Sequence, residues 1–84
     1  MNAPIIRLAT ATTSYVALSE SRFVASKVVL TALSTNVAVI YLQGTDGNHV
    51  PVAAGDWYEF ENINLAAISI KGNAGDKVTV IGNT

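Results

Sequence analysis

From Lys27 onward, hydrophobic and polar positions alternate in runs of roughly four to eight residues, the period of half-buried strands rather than helices. Lys27-Val28-Val29-Leu30-Thr31-Ala32 and Ala38-Val39-Ile40-Tyr41-Leu42 are two such runs, and the polar Ser34-Thr35-Asn36 between them predicts a hairpin. A second connection, Gly44-Thr45-Asp46-Gly47-Asn48, holds an Asp-Gly pair that accepts positive φ and leads to a short run, His49-Val50-Pro51-Val52. Pro51 donates no main-chain hydrogen bond, so that strand is expected to be short or at an edge. Trp57-Tyr58-Glu59-Phe60-Glu61 alternates strictly, sending Tyr58 and Phe60 to one face and both glutamates to the other. Ala66-Ala67-Ile68-Ser69-Ile70-Lys71 and Lys77-Val78-Thr79-Val80-Ile81 flank the turn Gly72 to Asp76 and predict a closing hairpin, with Ile68 and Ile70 matched to Val78 and Val80.

The first 26 residues are less regular. Ile5-Ile6-Arg7-Leu8 and Tyr15-Val16-Ala17-Leu18 read as short strands, while Glu20 to Ser26 fits a helical turn or a bent edge. The expected organisation is therefore one domain, with residues 1–26 as an N-terminal arm and edge strands and 27–84 as the core. Ten Val, seven Ile and eight Thr reinforce the strand reading, because β-branched side chains suit a pleated backbone. About eight strands at this spacing predict an all-β fold, a small antiparallel β-sandwich or jelly roll.

The alternation also assigns faces. With Val28, Leu30, Ile40, Leu42, Tyr58, Phe60, Ile68, Ile70, Val78 and Val80 inside, the residues Val29, Val39, Tyr41, Trp57 and Ile81 point outward. Polar residues are expected there in a monomer, so these five are candidate subunit contacts.

Composition sharpens that expectation. The 84 residues are 50% hydrophobic but only 13% charged, against a typical charged fraction of about 25%. The chain is too apolar for disorder and poor in solvating surface. A net charge of −1, from five basic and six acidic residues scattered singly, offers no footprint for a phosphate backbone, so nucleic acid is not an expected partner. No stretch approaches the roughly 20 apolar residues that cross a bilayer, and the opening Met-Asn-Ala-Pro has neither a basic nor an apolar signal region. The expectation is a mature, soluble protein with no membrane partner.

Candidate chemistry is sparse. With no cysteine and a single histidine, His49, thiolate sites and shared imidazole ligation drop out, and His49 reads as structural or solvent-exposed. No G-x-S-x-G elbow supports a serine nucleophile, and no G-x-G-x-x-G or Walker loop supports phosphate binding. Glu59 and Glu61 share one strand face, whereas the acid and base of a glycosidase flank a cleft from separate elements. They read as solvated or partner-facing. Asp46 lacks the further acidic ligands of a calcium loop and reads as turn chemistry. Tyr41, Trp57 and Tyr58 are able to stack on sugar rings, which keeps a carbohydrate-binding module among the alternatives. No cofactor, metal or catalytic residue is assigned, and the chain is not expected to be an enzyme.

The stretch from Lys27 to Gly82 resembles small β-sandwich or jelly-roll structural proteins of tailed bacteriophages, of the capsid decoration (cement) or head-fibre type. The resemblance is carried by the Lys27 to Thr31 run, the Ser34-Thr35-Asn36 turn, and a run ending Tyr41-Leu42-Gln43-Gly44. It continues through Val50-Pro51-Val52-Ala53-Ala54-Gly55-Asp56 before an aromatic strand, then Asn64 to Gly72 and Gly75 to Gly82. It covers about two-thirds of the chain and brings no catalytic residues with it. It implies a virion protein, made in the host cytoplasm, that binds the major capsid protein on the outer head surface and associates with itself, the expected homo-oligomer being a trimer. The N-terminal arm, Met1 to Thr13 with Pro4, Ile5, Ile6 and Arg7, is the candidate for docking by strand addition, on the capsid or on a neighbouring subunit. A tail, baseplate or head-fibre accessory is the alternative within the same class.

Overall fold

A computed structural model describes residues 2–84. Eight strands run in the order β1 (Pro4–Thr10), β2 (Val16–Ala17), β3 (Val24–Ala32), β4 (Ile40–Gln43), β5 (His49–Val52), β6 (Trp57–Asn64), β7 (Ser69–Lys71) and β8 (Lys77–Asn83). They form two four-stranded sheets of order β1-β8-β3-β6 and β2-β7-β4-β5, with every neighbouring pair antiparallel. The first strand pairs with the last, the second with the second-last, and so inward to the β4–β5 hairpin. The chain is thus one long antiparallel ribbon, wrapped so that successive rungs fall in alternate sheets. That is a jelly roll.

The wrapping corrects two of the expected hairpins. β3 and β4 lie in different sheets, as do β7 and β8, so Ser34-Thr35-Asn36 and Gly72 to Asp76 are crossings between layers. Side chains distant in sequence hold the first crossing. The Asn36 amide donates to the Lys77 carbonyl at 2.9 Å and accepts the Lys77 N–H at 2.8 Å. The buried Asp76 carboxylate accepts the N–H groups of Val37 and Ala38 at 2.9 and 3.0 Å. Only β4 and β5 are joined as a hairpin, around Gly44 to Asn48, where Asp46 accepts the Asn48 N–H at 3.1 Å.

A third correction concerns the run Ala66 to Lys71. Leu65–Ala67 forms a 3-10 turn capped by Asn64, whose side chain accepts from the N–H groups of Phe23 and Ala66, and β7 begins only at Ser69. This turn buries Leu65 completely, a core residue that alternation does not reveal.

The core lies between the sheets, with Val28, Leu30, Ile40, Leu65, Ile70, Val78 and Val80 fully enclosed. Ile70 on one sheet and Val78 and Val80 on the other meet across the sandwich rather than along a ladder. Tyr58 departs from its expected core position. It lies on the inward face of β6, but β6 is an edge strand and the side chain stays 43% exposed.

Pro4, Ile5, Ile6 and Arg7, expected as a docking arm, are part of the jelly roll itself. They begin β1, which pairs in register with β8 from Pro4↔Asn83 to Thr10↔Lys77. Ile5 sits in the core, and the Arg7 guanidinium lies 4.3 Å from the Phe23 ring centroid. Beside Ile5, Gly82 allows β8 to approach β3 closely. A Cβ there would overlap the carbonyl of Lys27 and the Cα of Val28, so only glycine fits.

A candidate association surface

In antiparallel pairing, directly opposed residues send their side chains to the same face. The register therefore assembles the outer face of the β1-β8-β3-β6 sheet row by row. One row is Ile6, Ile81, Val29 and Glu59, and the next is Leu8, Thr79, Thr31 and Trp57. Residues from β1, β8, β3 and β6, remote in sequence, become one surface. Ile6 is 76% exposed, Trp57 59%, Leu8 57% and Ile81 48%, while Val29 between them is half-buried. Single exposed apolar residues are ordinary, whereas these form a contiguous apolar row crossing three strands.

Three of the five expected contact residues, Val29, Ile81 and Trp57, belong to this face. Val39 and Tyr41 do not. Both are half-buried in or beside β4, on the other sheet. Tyr41 stands opposite Lys71 and Pro51 and packs edge-on against His49, with ring centroids 5.4 Å apart. The Lys71 ammonium lies 4.9 Å from the Tyr15 ring centroid. That surface is a mixed aromatic and polar one, and neighbouring charges and amides solvate it. Ile6 and Leu8 complete the apolar face. Ile6 was expected in a docking arm and Leu8 in the short strand that begins there, neither as part of this face, although the alternation of Pro4, Ile6, Leu8 and Thr10 was a usable signal.

Charge borders the face at two margins, at Lys77 opposite Thr10 and along the β6 edge. Glu59 and Glu61 project outward from β6, and Lys27 on β3 pairs with Glu59 at 2.8 Å. Hydrogen bonding to the Glu59 carboxylate, with its charge, holds the Lys27 ammonium above its ordinary pKa. Both side chains are substantially exposed, so the pair contributes little to stability. It occupies one of the two carboxylates in solution, and the glutamates do not converge on any cleft.

A cleft of about 320 Å³ opens elsewhere, between the sheets, lined by Leu42, Val50, Tyr58, Phe60 and Ile68 with Asp46 and Asn48 at its rim. Its polar rim is committed to the turn, where Asp46 binds the Asn48 main chain and side chain. Trp57, Tyr58 and Tyr41 thus stand on three different surfaces and form no common sugar-stacking platform. Among the described residues, no three His, Cys, Asp or Glu side chains gather as metal ligands. No protein-family model, curated protein or solved structure matches the chain.

Proposed function

We propose that this chain is a non-enzymatic structural protein that acts by surface contact: a decoration (cement) protein on the outside of a phage head, linking neighbouring major capsid proteins. The observation that carries the reading is the apolar outer face of the β1-β8-β3-β6 sheet, where Ile6, Ile81 and Val29 align in one row and Leu8 and Trp57 flank them. Water-exposed apolar area of this extent is costly, at about 25 cal/mol per Å², unless a partner covers it. A small, wrapped β scaffold with few charges suits a lattice role, because each contact is weak alone and symmetric repetition multiplies it.

The setting comes from the resemblance of residues 27–82 to tailed-phage structural proteins, which also implies three copies gathered about an axis on the shell. In that arrangement Trp57 and Leu8 lie against a neighbouring copy or the capsid surface. Quantitative mass spectrometry of purified particles tests the role through copy number. Copies comparable to the shell protein are the expected result, a handful would move the chain to a tail, baseplate or head-fibre position, and none would end the virion reading.

A further inference from the structure

We infer that two copies of this chain join through β1, edge to edge, in an antiparallel pairing centred on Leu8. This does not rest on the virion reading and concerns the protein alone in solution. The phase of the β1–β8 ladder fixes which main-chain groups of β1 are free. The Thr84 N–H donates to the Ala3 carbonyl at 2.9 Å, and the Ala11 N–H to the Asp76 carbonyl at 2.7 Å. Hydrogen-bonded pairs alternate along an antiparallel ladder. Ile5, Arg7 and Ala9 therefore turn their main-chain groups toward β8, whereas Pro4, Ile6, Leu8 and Thr10 turn theirs to the open edge of the sheet. Three amide donors and four carbonyls stand in a row there. An edge of this length, uncharged on its outer face, is a template for another strand.

The composition of the edges selects the occupant. The other edge of the same sheet, β6, offers Trp57, Glu59 and Glu61, and its pairing with β3 is interrupted at Asn62, which adopts φ 50. Docking β6 of a second copy on β1 would set carboxylates beside the apolar Ile6 and Leu8, because of the cations on that face Lys27 is already paired with Glu59 and Lys77 stands at the Thr10 end of the ladder. A second β1 avoids this, since it brings apolar side chains and the same alternation of donors and acceptors, as a twofold interface requires.

The register follows from two residues. Centring the pair on Ile6 wastes bonds, because Pro4 then faces Leu8 of the second copy and has no N–H. Placing Ile6 opposite Leu8 sets Arg7 directly against Arg7 of the second copy, a like-charge opposition that destabilises strand pairs. Centring on Leu8 removes both faults. Leu8 faces Leu8, Ile6 faces Thr10, Arg7 faces Ala9, and roughly six main-chain hydrogen bonds form. Val16, exposed in the short β2 edge beneath, adds apolar area on the same side. On a shell, such pairs would link copies across twofold axes, while a threefold cluster would use the sheet face instead.

The test is a charge swap at the centre of the pairing. Wild type is expected to sediment as a reversible monomer–dimer system, and Leu8→Lys and Leu8→Glu each as monomers, since each sets like charges face to face. Mixed in equal amounts, the two variants are expected to restore the dimer, the result a merely misfolded variant cannot give. Leu8→Pro supplies an independent check. It removes only the amide aimed at the open edge, leaves the β1–β8 ladder intact, and is expected to abolish the dimer with an unchanged circular dichroism spectrum. A wild type that stays monomeric at millimolar concentration, or Leu8→Lys that still dimerises, would each overturn the pairing.

Discussion

Along β6 the side chains flanking the open edge are Trp57, Glu59 and Glu61, and the strand breaks its pairing at Asn62; along β1 they are Ile6, Leu8 and Thr10, and the pairing with β8 runs unbroken. Both strands are edges of one sheet, and both leave main-chain donors facing outward. The bond from the Ala32 N–H to the Asp56 carbonyl sets the phase on the β6 side, leaving Trp57, Glu59 and Glu61 unpaired there. Charge and irregularity are common means of keeping an edge strand from recruiting another. β6 carries both, whereas the one charge of β1, Arg7, turns inward over the Phe23 ring and leaves the outer face of that strand uncharged. The contrast teaches that exposed apolar area alone does not single out a docking edge. What distinguishes β1 is exposed apolar area, a row of free donors at Ile6, Leu8 and Thr10 and an outer face without charge, all on one strand.

The contrast breaks most severely at Gly82. A side chain there collides with the main chain of Lys27 and Val28, so Gly82→Ala should part β1 and β8 from β3 and β6. The expected cost is at or above the upper end of the roughly 1–3 kcal/mol typical of overpacking, read by urea denaturation. An unchanged midpoint would mean that the close approach of β8 to β3 is not needed.

A second change sharpens the contrast rather than breaking it. Glu59→Thr with Glu61→Thr makes β6 resemble β1, removing its charge while keeping its strand propensity. Sedimentation should then show species larger than the wild-type dimer, with the denaturation midpoint within about 0.5 kcal/mol of wild type, as for other surface substitutions. Unaltered association would mean that the break in pairing at Asn62, not the carboxylates, guards this edge.

The smallest effect is expected at Lys27. Its pKa is raised in the folded state by Glu59, so whatever stability the pair contributes is present below the ordinary lysine pKa and is lost as pH rises through the raised value. Lys27→Ala should therefore leave the thermal midpoint nearly unchanged across neutral pH. Any small difference from wild type should be present at neutral pH and vanish in strongly alkaline solution, where Lys27 is neutral.

The strands were legible because a period of two survives in Lys27 to Ala32, Ile40 to Gln43, Trp57 to Glu61 and Lys77 to Ile81, whatever they pair with. Their assignment to sheets was not, since a turn and a crossing share the same composition of Ser, Thr, Asn and Gly. Ser34-Thr35-Asn36 became a crossing because Asn36 and Asp76 tie it to a segment some 40 residues on. The apolar outer face was half legible for the same reason. Parity along a strand tells inside from outside and therefore found Val29, Ile81 and Trp57. It does not tell which sheet's outside, and so it grouped Tyr41 and Val39 with them. Ile6 and Leu8 join the face only through the pairing of β1 with β8, from opposite ends of the chain. Tyr58 shows the converse limit, an inward position left open because its strand ends the sheet.

Amide hydrogen exchange of β1 at low and high protein concentration tests the edge pairing most directly. Ile5, Arg7 and Ala9 should be protected at every concentration by their bonds to β8. Ile6, Leu8 and Thr10 should exchange rapidly in dilute solution and become protected as concentration rises, with Leu8 the most protected. Rapid exchange of those three at all concentrations, beside persistent protection of Ile5, Arg7 and Ala9, would contradict the account and leave β1 an unpaired edge.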